Sequence, residues 1–345
     1  MAKHNISLLI AIAVALIIFI ITMVFSALAA AGSSPFLYNT SNISAQFVIQ
    51  LTPSGWTFII WTIIYIFLAL VMVYTFSGIF RKNAYGYVYC SPAVLPYGFY
   101  AFWCLNLVLN VSWLFLWDRM FMPAALAFLI LIALTNYAVI FFSCYGLSQY
   151  GAWLNKYHKV DLWLHRVLIH NGISIYATWT TIASLINLTI VLVYDANVSN
   201  TDAATISLSL LTTVVVAWYV QIRQKETLCF ILPKNENMEI MSWLIDFLRF
   251  FLENFVFDKH VRFILTIYPV VIWALTGVFT QNYNAADPTR NNIFIAALLG
   301  VVCFLFVTRI LLVTWRQVKN PLYKEVNPDD MSPMEIAEKQ KKMFR

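Results

Sequence analysis

Indole and amide side chains are the groups in this sequence that could do chemistry in an apolar setting. The stretch Thr52-Pro-Ser-Gly-Trp-Thr-Phe-Ile-Ile-Trp-Thr-Ile-Ile-Tyr65 puts Trp56, Trp61 and Tyr65 on the first turns of an apolar run. Trp61 and Tyr65 are four apart, so they share a helix face. Trp56 falls near the water boundary, where indole is commonly placed. Asn106, Asn110 and Trp113 lie along one face of a second run, and Tyr176, Trp179 and Asn187 belong to a third. Flat rings stack a flat apolar molecule and amides orient it. An amide buried in lipid also needs a partner, so the same asparagines serve equally well as bonds between helices. An aromatic belt with ordinary packing accounts for Trp56, Trp61 and Tyr65 alone. These readings remain open and are compatible.

Other chemistries lack their residues. No Asp, Glu, Lys or His falls near the middle of an apolar run, which counts against a proton-coupled pump and against hydrolytic or metal chemistry inside a bilayer. No catalytic residue and no metal ligand is assigned. His158, His165 and His170 lie near a basic segment and read as solvated or capping side chains. Cys90, Cys104, Cys144, Cys229 and Cys303 follow no zinc spacing and read as reduced thiols.

The elements that must position these residues are transmembrane. The chain has 345 residues, 61% hydrophobic and 11% charged, with a mean hydropathy of +0.75; a soluble domain carries about 25% charged residues. Apolar lengths predict eight spanning helices: Ile6 to Ala31, Trp56 to Ile79, Tyr97 to Trp117, Met122 to Tyr145, Leu168 to Tyr194, Ala204 to Ile222, Phe263 to Thr280 and Asn292 to Trp315. Met241 to Phe257 is amphipathic and too charged to span. It reads as a helix in the membrane interface, or as one packed on a cytosolic partner. All but three of the 22 Lys and Arg residues fall on the side of the two termini, which predicts cytosolic termini. That distribution explains the net charge of +6 without nucleic acid. Sequons at Asn39, Asn42 and Asn197 all fall on the opposite side, as glycosylation in a secretory-pathway membrane (ER or plasma membrane) requires if the source is eukaryotic. The sequons at Asn110 and Asn187 lie inside helices and are expected to stay unmodified.

Three stretches carry a resemblance. Pro53-x-Gly55-Trp56 followed by Trp61-x-x-x-Tyr65, then Asn110-x-x-Trp113-Leu-Phe115, then Tyr176-x-x-Trp179 with Asn187 are similar, in order and interval, to motifs of the TspO/MBR family, the translocator or tryptophan-rich sensory proteins. The resemblance covers about Ile6 to Tyr194. It implies a five-helix core over residues 1–195, and the chain is similar to the longer members that carry extra helices; with the spans predicted beyond the core it reads as an all-α polytopic bundle, with a sixth helix in 196–222, a cytosolic loop over 223–262, two further helices over 263–316 and a basic tail over 317–345. It implies that the loop between the first two helices lids a pocket for porphyrins, sterols or synthetic aromatic ligands. Trp61 and Trp179 match the two pocket tryptophans, and Asn110 and Trp113 match the third-helix pair. No cofactor follows, but a porphyrin is a ligand the resemblance admits. Expected partners are membrane lipids and an apolar small molecule. A homodimer is admitted by the family, although no GxxxG supports it here. A facilitative transporter or channel is the alternative function, with a sensor acting through loop and tail as a third. Porphyrin degradation through the tryptophans rests on family analogy alone.

The chain also departs from the family pattern. Trp56 to Trp61 is one residue shorter than usual, and Ile59-Ile60 replaces a Gly-Pro. Tyr194 is followed by Asp195, with no base before Asn200, so the sterol-recognition stretch is not matched.

Overall fold

A computed structural model describes residues 4–221, 261–319, 321–323 and 335. The expected interfacial helix Met241 to Phe257 lies outside the described residues, as do Cys229 and most of the tail.

The first helix, α1 (Ile6–Ala31), starts where the Asn5 side chain accepts the Leu8 N–H, satisfying one of the free donors of a helix N-terminus. It stops at Gly32, whose φ of 63° suits a residue without Cβ. The chain then forms a short helix, α2 (Thr40–Gln46), and a 3-10 turn, Gly55–Ile59, before α3 (Ile60–Ser77). A small antiparallel hairpin, β1 (Lys82–Asn83) and β2 (Gly86–Tyr87), follows. Next are α4 (Tyr97–Asp118) and α5 (Met122–Tyr157), which carries Pro123 in its first turn, where a missing N–H is harmless. The strand of helix after it is α6 (Lys159–Leu164), a π-helical segment His165–Asn171 and α7 (Gly172–Tyr194). The remaining described helices are α8 (Asn200–Gln221), α9 (Ile267–Asn282) and α10 (Arg290–Lys319).

Among the described residues, seven helices are long and apolar enough to cross a membrane, counting α6 to α7 as one. The protein is an all-α polytopic bundle. In the core, α4 packs on α1 and α5, α5 on α7, and α3 on α7; α8 and α9 pack against α7, with α10 behind them. The expected span Phe263 to Thr280 is shorter than its apolar run suggested. At 16 residues α9 reaches about 24 Å, less than a hydrocarbon core of about 30 Å. The preceding residues are bonded sideways instead. Asn171 donates to the Phe263 carbonyl at 2.8 Å and accepts the Leu265 N–H at 2.9 Å.

The structure corrects the expected break between the span ending at Tyr145 and the span beginning at Leu168. Helix α5 continues twelve residues past Tyr145, and the next span begins at Lys159, not Leu168. His165 and His170 are therefore buried, at 1% and 0% exposure, neither solvated nor capping. Local partners make this possible. His165 Nε2 meets the Ser143 hydroxyl at 2.7 Å, and His170 Nε2 lies 3.6 Å from Cys144 Sγ. Asp161 pairs with Arg81 at 2.7 Å, and the Arg166 guanidinium stacks over Phe263 and Trp163.

Candidate functional site

Helices α3, α4 and α7 bring six of the singled-out residues together. Trp61 is the hub. Its ring stacks on Trp113 at 5.4 Å and on Tyr65 at 5.9 Å. The Tyr176 and Trp179 rings meet it edge-on at 6.1 and 6.3 Å. The Tyr65 hydroxyl donates to Asn110 Oδ1 at 3.3 Å. Asn110, Trp113, Tyr176 and Trp179 are buried, while Trp61 and Tyr65 remain half-buried on the side where α3 begins. The helical repeat explains the convergence: Trp61 and Tyr65, Asn110 and Trp113, and Tyr176 and Trp179 are each three or four apart.

The polar atoms of this cluster are mostly unspent. Asn110 Nδ2, Trp113 Nε1, Tyr176 OH and Trp179 Nε1 are buried with no hydrogen-bond partner among the described residues. Ser26 Oγ, contributed by α1 beside Tyr65, is in the same condition. The Tyr176 hydroxyl faces the Asn110 amide without reaching bonding geometry. An unsatisfied buried donor costs about 1–3 kcal/mol, and such groups are rare. Four of them on adjacent aromatic side chains and one amide form a surface able to hydrogen-bond a guest between ring faces.

Three singled-out residues are placed elsewhere. Asn106 donates to the Ile132 carbonyl at 2.9 Å and to Thr135 Oγ1 at 2.8 Å, tying α4 to α5. Asn187, with its amide nitrogen toward the Met122 carbonyl and its oxygen toward the Leu126 N–H, both at 3.2 Å, ties α7 to the start of α5. Trp56 is 40% exposed and packs edge-on against Trp273 at 4.9 Å. Asn136 is buried beside Asn106 in a crevice reached by Tyr176, one layer deeper than the ring cluster.

The segment from Gly32 to Ile59 meets the cluster where the Phe58 ring lies edge-on to Trp179 at 6.5 Å, and it is tied to helix ends from Leu37 to Thr57. The buried Asp118 accepts the Leu37 and Tyr38 N–H groups at 2.8 and 3.1 Å. Trp117 Nε1 donates to the Thr40 carbonyl. The Tyr194 hydroxyl accepts the Val48 N–H. Helices α8 to α10 hold the rest. Asn200 accepts the Gln50 N–H and Asn291 donates to the Gln50 side chain. Asn282 reaches the Thr52 carbonyl, and Trp273 Nε1 donates to the Thr57 carbonyl. Ser54 bonds the Gly277 carbonyl, at a place where a Cβ on Gly277 would strike Thr57. Sequence reasoning missed these clamp residues. The available signal was amide-rich polar sequence at the ends of the last helices, such as Asn282 and Asn291-Asn292.

Asn39 caps α2 through its side-chain oxygen, and Asn42 and Asn197 are exposed. Asn110 and Asn187 are 0% and 1% exposed.

A family model described as TSPO-like protein matches residues 11–233. The chain belongs to the TSPO-like protein family. Compared with curated proteins and with solved structures, it matches none. The stretch shared with the TSPO-like family contains every residue of the ring cluster and continues through α8, whereas α9 and α10 lie past it. Family and apolar helices together make this TSPO-like chain an integral, multi-pass membrane protein.

Proposed function

We propose that this protein binds a flat apolar ligand, a tetrapyrrole or a lipid-like molecule, between Trp61, Tyr65, Asn110, Trp113, Tyr176 and Trp179. The observation carrying this reading is the set of unpartnered donors among stacked rings. A planar ligand with carbonyl, carboxylate or ring-nitrogen acceptors would replace ring–ring contacts by ring–ligand contacts of similar area and occupy those donors. Trp61 and Tyr65 are the half-buried members, so entry would begin by lifting residues 32–59 and turning the Trp61 indole aside. Titration of the purified protein with protoporphyrin, followed by tryptophan quenching, tests the proposal. Saturable quenching lost in Trp61→Ala with Trp179→Ala supports it; quenching untouched by the double substitution overturns it.

A facilitative path is the second reading. The observation in its favour is that unpartnered polar atoms continue inward from the cluster, through Tyr176 OH to Asn136 Nδ2 and Trp103 Nε1. Solute flux in proteoliposomes that falls in Asn136→Leu would favour it over simple binding.

A further inference from the structure

A second pocket lies at the opposite end of the bundle. Trp61 is in the first turn of α3 and Arg81 lies just beyond its last, a separation of about 30 Å along the axis. Here a cavity of about 40 Å³ is lined by Tyr74, Arg81, Tyr100, His158, Asp161 and His165, with apolar residues that follow the hairpin and others on α5 completing it. One water needs about 10–15 Å³, so the space suits a group of a few heavy atoms. The π-helical segment begins at His165 and turns that ring into the cavity wall; such segments recur at functional sites.

The chemistry of the cavity is set by how Arg81 is used. Its Nη1 donates to Asp161 Oδ1 at 2.7 Å. Its Nε and Nη2 are buried and have no hydrogen-bond partner among the described residues. Those two N–H groups point the same way and form the fork that takes the two oxygens of a carboxylate or phosphate. The Asp161 carboxylate would repel an anion, but the Arg81 guanidinium already pairs with it. Lys82, Lys156 and Lys159 stand at the same end of the bundle. The Arg81 side chain is 37% exposed, which gives an ion a route to it.

We propose that this cavity is a second binding site, for a small oxyanion held by the free fork of Arg81. The anion is either the phosphate of an anionic lipid or a soluble phosphate, and the test separates them. The full chain in phosphatidylcholine nanodiscs is titrated with inorganic phosphate, and in parallel reconstituted with increasing phosphatidic acid; the unfolding midpoint is followed by intrinsic fluorescence. A saturable rise with phosphatidic acid alone assigns a lipid headgroup, one with phosphate alone assigns a soluble anion, and a rise with both assigns a site open to either. Arg81→Lys keeps the charge and removes the fork, so the half-saturating concentration should rise about tenfold or more, while protoporphyrin quenching stays unchanged. Should that variant fail to fold, Val88→Phe fills the cavity from the hairpin side, leaves the Arg81–Asp161 pair in place and should abolish the shift. No saturable rise with either probe, or equal rises in the original chain and in a folded variant, overturns the proposal.

Discussion

Asn106 and Asn110 sit one turn apart on α4, and their amides are used in opposite ways. Asn106 makes two bonds across to α5, whereas Asn110 makes one long bond to Tyr65 and leaves its nitrogen idle. Asn106→Leu should therefore destabilise the folded bundle by about 1–2 kcal/mol, since buried bonds between membrane helices contribute about 0.6–2 kcal/mol each. Asn110→Leu removes one weak bond and one unsatisfied donor, so its stability should hold or rise, while affinity for protoporphyrin falls about threefold to tenfold with the loss of a net 0.5–1.5 kcal/mol bond to the ligand. Thermal unfolding in detergent and quenching titrations check both. The spacing of these residues showed a shared face. It did not show that the face turns from one neighbour to another within a single turn, because a periodicity of 3.6 specifies direction only relative to the helix itself. The same limit explains Asn187, which shares a helix with Trp179 and meets the start of α5 instead of the rings.

Helices α4 and α7 carry part of the ring cluster and also tie residues 37–48, whereas α8 to α10 tie residues 50–57. Asp118, at the end of α4, is the strongest single tie because a buried carboxylate accepts two backbone N–H groups. Bonds to charged acceptors contribute about 1.5–3 kcal/mol each, so Asp118→Ala should free the segment around Leu37 and Tyr38. Limited proteolysis within residues 33–39 should then quicken at least tenfold, with the bundle otherwise intact. Trp273→Ala, on α9, removes the bond to the Thr57 carbonyl and the packing on Trp56; porphyrin exchange measured by stopped flow should speed up several-fold. Spanning helices were legible because apolar length alone predicts them, and α1 and α4 fall almost where expected. The ends of α5 and α6 were not. Asp161 and Arg166 look like loop residues until the partners that neutralise or stack on them are known, and those partners are Arg81, just after α3, and Phe263, before α9. Charge in sequence marks the cost of burial but not whether a distant segment offsets it.

At the scale of the molecule, the bundle has one basic end and one end of short polar loops bearing Asn42 and Asn197. Expression in a secretory system should give a mobility shift on enzymatic deglycosylation that Asn42→Gln and Asn197→Gln reduce stepwise, with Asn39→Gln removing a further step only if its capping role leaves the amide nitrogen accessible. Asn110→Gln and Asn187→Gln should change nothing. A shift that survives all three loop substitutions would reverse the assigned sidedness. The ties from α9 and α10 to residues 50–57 carry a different consequence. Those two helices contribute no residue to the ring cluster, yet they tie down residues 50–57. On the proposed function, a protein cut after α8 should therefore still quench with protoporphyrin but release it sooner, much as a lock stripped of its bolt still accepts the key.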